Sequence, residues 1–164
     1  VVVETLEERM DGFRAYMAEH APEIECLDTL YNENDVNNAQ GNVETQIATY
    51  GDELIGLYGG NNVSGDGIAL GIKNAGAGNK ILGIGVDSDS IEIEALEQGN
   101  LYAIVVQTPY EQGYMAMENA IEYLQTGENP ETEKHIDCTS QVVTKEDMDT
   151  DESKALLNPK ILER

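Results

Sequence analysis

Between Glu4 and His20 the apolar residues Leu6, Met10, Phe13 and Met17 recur three and four positions apart. That spacing puts them on one face of an amphipathic helix, which Pro22 closes. EIECLDTLY, Glu23 to Tyr31, alternates and predicts a strand, after which Asp35 caps a helix carrying Val36, Ala39, Val43 and Ile47. Three short runs follow: LIGLYGG (54–60), KILGIGV (80–86) and LYAIVV (101–106). Their near-continuous apolarity suits parallel strands covered on both faces. A helix is expected after each, over Val63 to Ala75, Ser90 to Gln98 and Tyr110 to Leu124, the last with an apolar stripe of Met117, Ala120, Ile121 and Leu124. This alternation predicts an α/β fold, a doubly wound parallel sheet with helices on both faces. Gln125 to Lys134 is polar, broken by Gly127 and Pro130, and reads as a surface loop before a last strand, HIDCTSQVV (135–143). The acidic end, 144–164, is weakly periodic and predicts at best one short helix.

A length of 164 residues suits one compact domain or half of a two-lobed protein. Hydrophobic residues make up 40% of it, enough for a core, although 32 Asp and Glu against 9 Lys and Arg give a formal charge of −23. Such a surface repels phosphate backbones and anionic membranes, so nucleic-acid binding is excluded. The acid excess reads as a solvated surface, and its sharper form is a source that lives in high salt, where counter-ions screen the repulsion. Cys26 and Cys138 match no zinc spacing and read as two buried thiols rather than a disulfide. No stretch is long and apolar enough for a membrane span, and VVVETLEERM lacks the basic start and long apolar run of a signal peptide.

In an open parallel sheet, ligands sit beyond the carboxyl ends of the strands. A polar residue stands there after each run: Asn61 with Asn62, Asp87, and Gln107. One alone reads as a cap or turn residue; three in the same structural position point to a site. Two amides and a carboxylate suit hydroxyl groups, and no nucleophile or general base stands among them, so no catalytic residue is assigned. His20 and His135 read as surface histidines. DMDTDESKALLN, Asp147 to Asn158, has acids spaced like a calcium loop but Glu152 and Asn158 where Gly and Glu are needed, and GGNNVSGDG lacks the Lys-Ser/Thr pair of a phosphate loop. No metal and no cofactor is expected. Asn62-Val63-Ser64 fits the glycosylation triplet but falls in the suspected ligand loop.

The order of motifs resembles one family. ERMDGF is similar to an Arg-x-x-Gly-Phe helix start, LYGGNNVSGDGIALGIKNAG to a strand with Asn followed by a helix ending in Ala-Gly, ILGIGVDSD to a Gly-Phe-Asp segment, and GNLYAIVVQTPYEQGYMAMENAIEYLQTGE to a Gln-x-Pro-Tyr-x-x-Gly segment. Together, over nearly the whole chain, they resemble the sugar-binding proteins of bacterial ABC transporters, of the ribose-binding or type I periplasmic kind. The resemblance implies that Arg9, Asn61, Asp87 and Gln107 contact sugar hydroxyls, Arg9 and Asp87 by charge-assisted bonds, and that Asn34 falls near a loop position that often touches ligand. Two departures stand out: Val86 replaces the aromatic of Gly-Phe-Asp, and Asn62 stands where the family often has an acid.

It also implies an organisation. Members have two lobes joined by a hinge, and this chain resembles the C-terminal lobe over 1–108, with 109–138 a segment that would pack on the N-terminal lobe and 139–164 a hinge-return strand and acidic tail. The implied function is extracytoplasmic capture of a small sugar, most simply a monosaccharide, and its delivery to an ABC transporter permease by a periplasmic or lipid-anchored protein. The helix at 110–124, without the other lobe, is expected to drive self-association of the chain as a homo-oligomer. The same fold serves the effector domain of LacI-type transcription regulators and sensors of sugar or autoinducer-2, which an upstream helix-turn-helix or a fused signalling module would identify.

Overall fold

The computed structural model describes residues 3–128 and 138–158. Its elements run α1 (Glu4–His20), α2 (Val36–Tyr50), β1 (Gly56–Tyr58), α3 (Asn62–Ala75), β2 (Leu82–Val86), α4 (Ser90–Gln98), β3 (Ala103–Val106), α5 (Pro109–Thr126), β4 (Gln141–Thr144) and α6 (Asp151–Leu157). Helix starts follow their caps: Asp35 accepts from the Asn38 N–H, Asn61 from Ser64, Asp89 from Ile91 and Glu92, and Thr150 from Ser153. Gly76, Gly99 and Gly127 close α3, α4 and α5 in the left-handed conformation.

The strands form one sheet in the order β1-β2-β3-β4. β1, β2 and β3 are parallel, linked through α3 and α4, whereas β4 lies antiparallel to β3 with Val143 opposite Ile104. The α/β lobe predicted from the alternation is therefore present, with a sheet that is mixed rather than wholly parallel. The reason lies in α5, which buries no residue and so does not pack back over the sheet as a parallel crossover requires.

The core lies between α3, α4 and the sheet, around Ile68, Ile72, Leu96, Leu101, Ile104, Val106 and Val143. Helix α3 presses closely on α2: a Cβ on Gly67 would run into Ala39, and one on Gly71 into Val43. Leu57 packs against this core, and the next residue, Tyr58, turns to the opposite face, where Phe13 of α1 stacks on it at 5.2 Å between ring centroids. Helices therefore cover both faces.

Four expectations change. Glu23 to Tyr31 forms no strand: its alternation records Leu27 packing on the core from one side, while Arg14 Nη2 donates to the Leu27 carbonyl at 2.8 Å and to Thr29 Oγ1 at 3.1 Å in place of a neighbouring strand. Cys26 and Cys138 are free thiols, half-buried rather than buried. The last strand covers Gln141–Thr144, shorter than predicted, with 135–137 and His135 among them outside the described residues. The loop over 125–134 gives its first two residues to α5, and 129–134 also lie outside the described residues. The segment tested as a calcium loop is instead the cap and body of α6.

Candidate functional site

Where β1 ends, the chain turns through Gly59 and Gly60 into Asn61, the cap of α3. Asn61 Oδ1 accepts from the Ser64 N–H at 3.0 Å and from Ser64 Oγ at 2.7 Å. Both bonds fall on the oxygen, which fixes the amide's orientation, and no acceptor takes its Nδ2 among the described residues. Ser64 Oγ in turn accepts from Asn32 Nδ2 at 2.9 Å. Asn32 thus joins this corner from the loop before α2.

β2 and β3 supply the other two predicted residues. Gln107, one position past β3, donates through Nε2 to Asp87 Oδ1 at 2.5 Å. Its Oε1 accepts from Arg9 Nη2 at 3.3 Å, and Arg9 Nη1 donates to the Gly60 carbonyl at 2.8 Å. Arg9 therefore ties α1 to the ends of β1 and β3, and the neutral amide of Gln107 bridges the guanidinium to the carboxylate of Asp87. Asp87 holds a positive φ of 89° although it is not glycine, a costly conformation kept by its N–H bond to the Val105 carbonyl at 2.9 Å.

Arg9, Asn61, Asp87 and Gln107 are thus brought to one end of the sheet, three through strand ends and one through α1. Asn34 is not joined to them: it is exposed in a left-handed turn, and its N–H donates to Asn32 Oδ1 at 2.9 Å. Sequence reasoning missed Asn32. Its signal was the Asn-Glu-Asn run before the Asp35 cap, where Asn34, tolerant of positive φ, makes the turn and leaves Asn32 to point inward.

Behind these groups lies a second layer of acids. Asn62 Nδ2 donates to Asp89 Oδ2 at 2.7 Å. Burial alone would raise the Asp89 carboxyl, but bonds from the Glu92 N–H, Asn62 and the Ile91 N–H outweigh it and hold it below its usual value. Asp66 is pushed up to about 7, by burial first and then by the Asp89 charge, to which its retained proton bonds. Glu92, fully buried, is pushed up to about 9. None of these three was singled out from the sequence, where each reads as a surface or capping acid.

A profile described as a periplasmic binding protein domain matches residues 3–129. Among solved structures, the chain is similar to an ABC transporter solute-binding protein from Agrobacterium vitis with bound D-fucose: 29% identity, TM-score 0.80, covering 91% of this chain and 50% of that one. A second Agrobacterium vitis solute-binding protein, bound with alpha-D-tagatopyranose, is 28% identical with a TM-score of 0.84, covering 93% of this chain and 50% of that one. A carbohydrate transporter solute-binding protein from Agrobacterium radiobacter in complex with D-arabinose is 26% identical with a TM-score of 0.82, again over 93% and 50%. The chain spans about half the length of these proteins. No curated protein matches it.

Proposed function

The chain belongs to the periplasmic binding protein family, and from that premise we propose that it is one sugar-contacting lobe of a solute-binding protein that serves an ABC transporter. The observation that carries this reading is the meeting of Arg9, Gln107 and Asp87, with the Asn61 amide beside them, at the carboxyl ends of three adjacent strands. Such a set offers directed donors and acceptors on a rigid sheet, which suits the dense hydroxyl groups of a monosaccharide. The similar proteins carry D-fucose, tagatose and D-arabinose, which supports a monosaccharide as the ligand class.

In this reading 1–108 form the lobe proper, α5 lies against a second lobe, and β4 with the acidic tail returns across the hinge. Closure of two lobes would replace water around the sugar with hydrogen bonds from both sides, and the closed form would be what a permease recognises. The family is one of binding proteins rather than enzymes and works outside the cytoplasm; in this reading the protein is periplasmic or held at the cell surface by a lipid anchor. Calorimetric titration with D-fucose, D-tagatose, D-arabinose, D-ribose and D-glucose tests it, using the chain together with the second lobe. Saturable binding of at least one of them, weakened by Asp87→Ala and Asn61→Ala, is expected. Binding that ignores both substitutions would overturn the site.

A further inference from the structure

β1 is too short to accompany β2 to its end. The last bond between them runs from the Gly59 N–H to the Ile84 carbonyl at 2.9 Å, after which the chain leaves for α3. β2 continues to Val86. On the side facing β3, the Asp87 N–H still finds the Val105 carbonyl. In a parallel ladder alternate residues face alternate neighbours, so the Val86 N–H points toward the place β1 has vacated. Glu92 Oε1 accepts it there at 3.0 Å.

The route of that side chain is built into the packing. Glu92 is fully buried and passes between Gly65 of α3 and Gly85 of β2; a Cβ on either glycine would run into its Oε1. Its other oxygen, Oε2, has no hydrogen-bond partner among the described residues, nor has Oδ1 of the buried Asp66. An ionised carboxylate with an orphan oxygen in such a place is far costlier than a neutral acid. The groups facing Glu92 are all acids: Asp89 at the head of its own helix, Asp66 on α3, and Asp87 after β2. β3, which also packs on α4, carries no titratable side chain. The elements around Asp66 add Tyr58 of β1 and, on α2, Tyr50 and Glu44; Glu44 is tied to Gln40 and to Asn74 in the last turn of α3.

We propose that Glu92, in its protonated form, substitutes for the missing length of β1, and that by fixing Val86 it positions the left-handed Asp87 against Gln107. Glu92 is a positioning residue, and the site is fully assembled only while it keeps its proton. This deepens the sugar-site reading and rests on it only insofar as Asp87 contacts the ligand. Raising the pH through the Glu92 transition, at about 9, puts a charge into a buried slot that faces three acids; burial and their repulsion outweigh the pull of the Val86 N–H on the charged form, drive the carboxylate from its slot and free the Asp87 loop.

Carbon-detected NMR of the labelled chain, with no sugar present, tests this from pH 6 to pH 10.5. The Glu92 side-chain carboxyl and the Val86 and Asp87 backbone carbons should titrate together with one midpoint near 9. Glu92→Gln, a neutral acceptor of the same shape, should keep the low-pH shifts of Val86 and Asp87 and make them flat across the range. Asp66→Asn should leave the Glu92 step in place. Val86 and Asp87 carbons that stay fixed in the unaltered chain, or that titrate alike in Glu92→Gln, would overturn the proposal. Failure of sugar binding would instead count against the functional reading, because no sugar enters this measurement.

Discussion

Asp87 combines two properties that substitutions can separate. Its carboxylate accepts from Gln107, and its φ of 89° is one that glycine adopts without cost. In the two-lobed protein Asp87→Ala should weaken sugar binding by about 2–3 kcal/mol, a charged hydrogen bond's worth, read as a 30- to 150-fold rise in Kd, on the order expected from affinity arithmetic. Asp87→Gly should lose the same affinity yet be about 1 kcal/mol more stable than Asp87→Ala in denaturant unfolding. Asp66 and Glu92 make a separate prediction about pH. Their carboxyls, at about 7 and about 9 in the fold, sit well above the ordinary values of 3.8 and 4.5. Above those ordinary values the folded chain therefore holds protons that the unfolded chain has lost, and stability falls as pH rises. Each held proton removes about 1.4 kcal/mol per pH unit, with Glu92 alone acting between 7 and 9. Thermal unfolding should show Tm falling from pH 5 to pH 9, with a shallower fall in Glu92→Gln. Asn61, Asp87 and Gln107 were legible in the sequence because each is a polar residue that ends an apolar run. Glu92 was not, since SIEIEALEQ reads as an acidic helix and its burial depends on two glycines 20 residues apart, Gly65 and Gly85.

At the scale of elements, α3 is the piece on which the lobe is assembled, and its contact with α2 is made by small residues. Gly71→Val should cost about 1–3 kcal/mol in denaturant unfolding, because Val43 already fills the space the new side chain would need. Helix α5 is the opposite case. Tyr110, Tyr114, Met117, Ile121 and Leu124 are all exposed on it. Light scattering of the chain at high concentration should detect self-association, which Met117→Glu with Ile121→Glu should abolish; a monomer throughout would refute this. The parallel strands were readable because burial on both faces leaves an apolar run. Glu23 to Tyr31 misled because alternation reports one buried side and says nothing of a hydrogen-bonded neighbour, and the direction of β4 depends on where α5 leads, which no local pattern encodes.

For the molecule as a whole, a formal charge of −23 means that self-repulsion opposes the compact state. Molar salt should raise Tm relative to low salt, and indifference to salt would remove the case for a high-salt origin. The order of assembly follows from the site's connections. The parallel strands lie side by side in chain order, so each can join its predecessor after a short crossover. The bond between Arg9 and Gln107, by contrast, joins positions 98 residues apart. Each doubling of loop length adds about 0.6 kcal/mol to closure, so this clasp is a late event. Refolding chains should regain the sheet before α1 comes home, passing through a species that is already compact and still unable to hold a ligand.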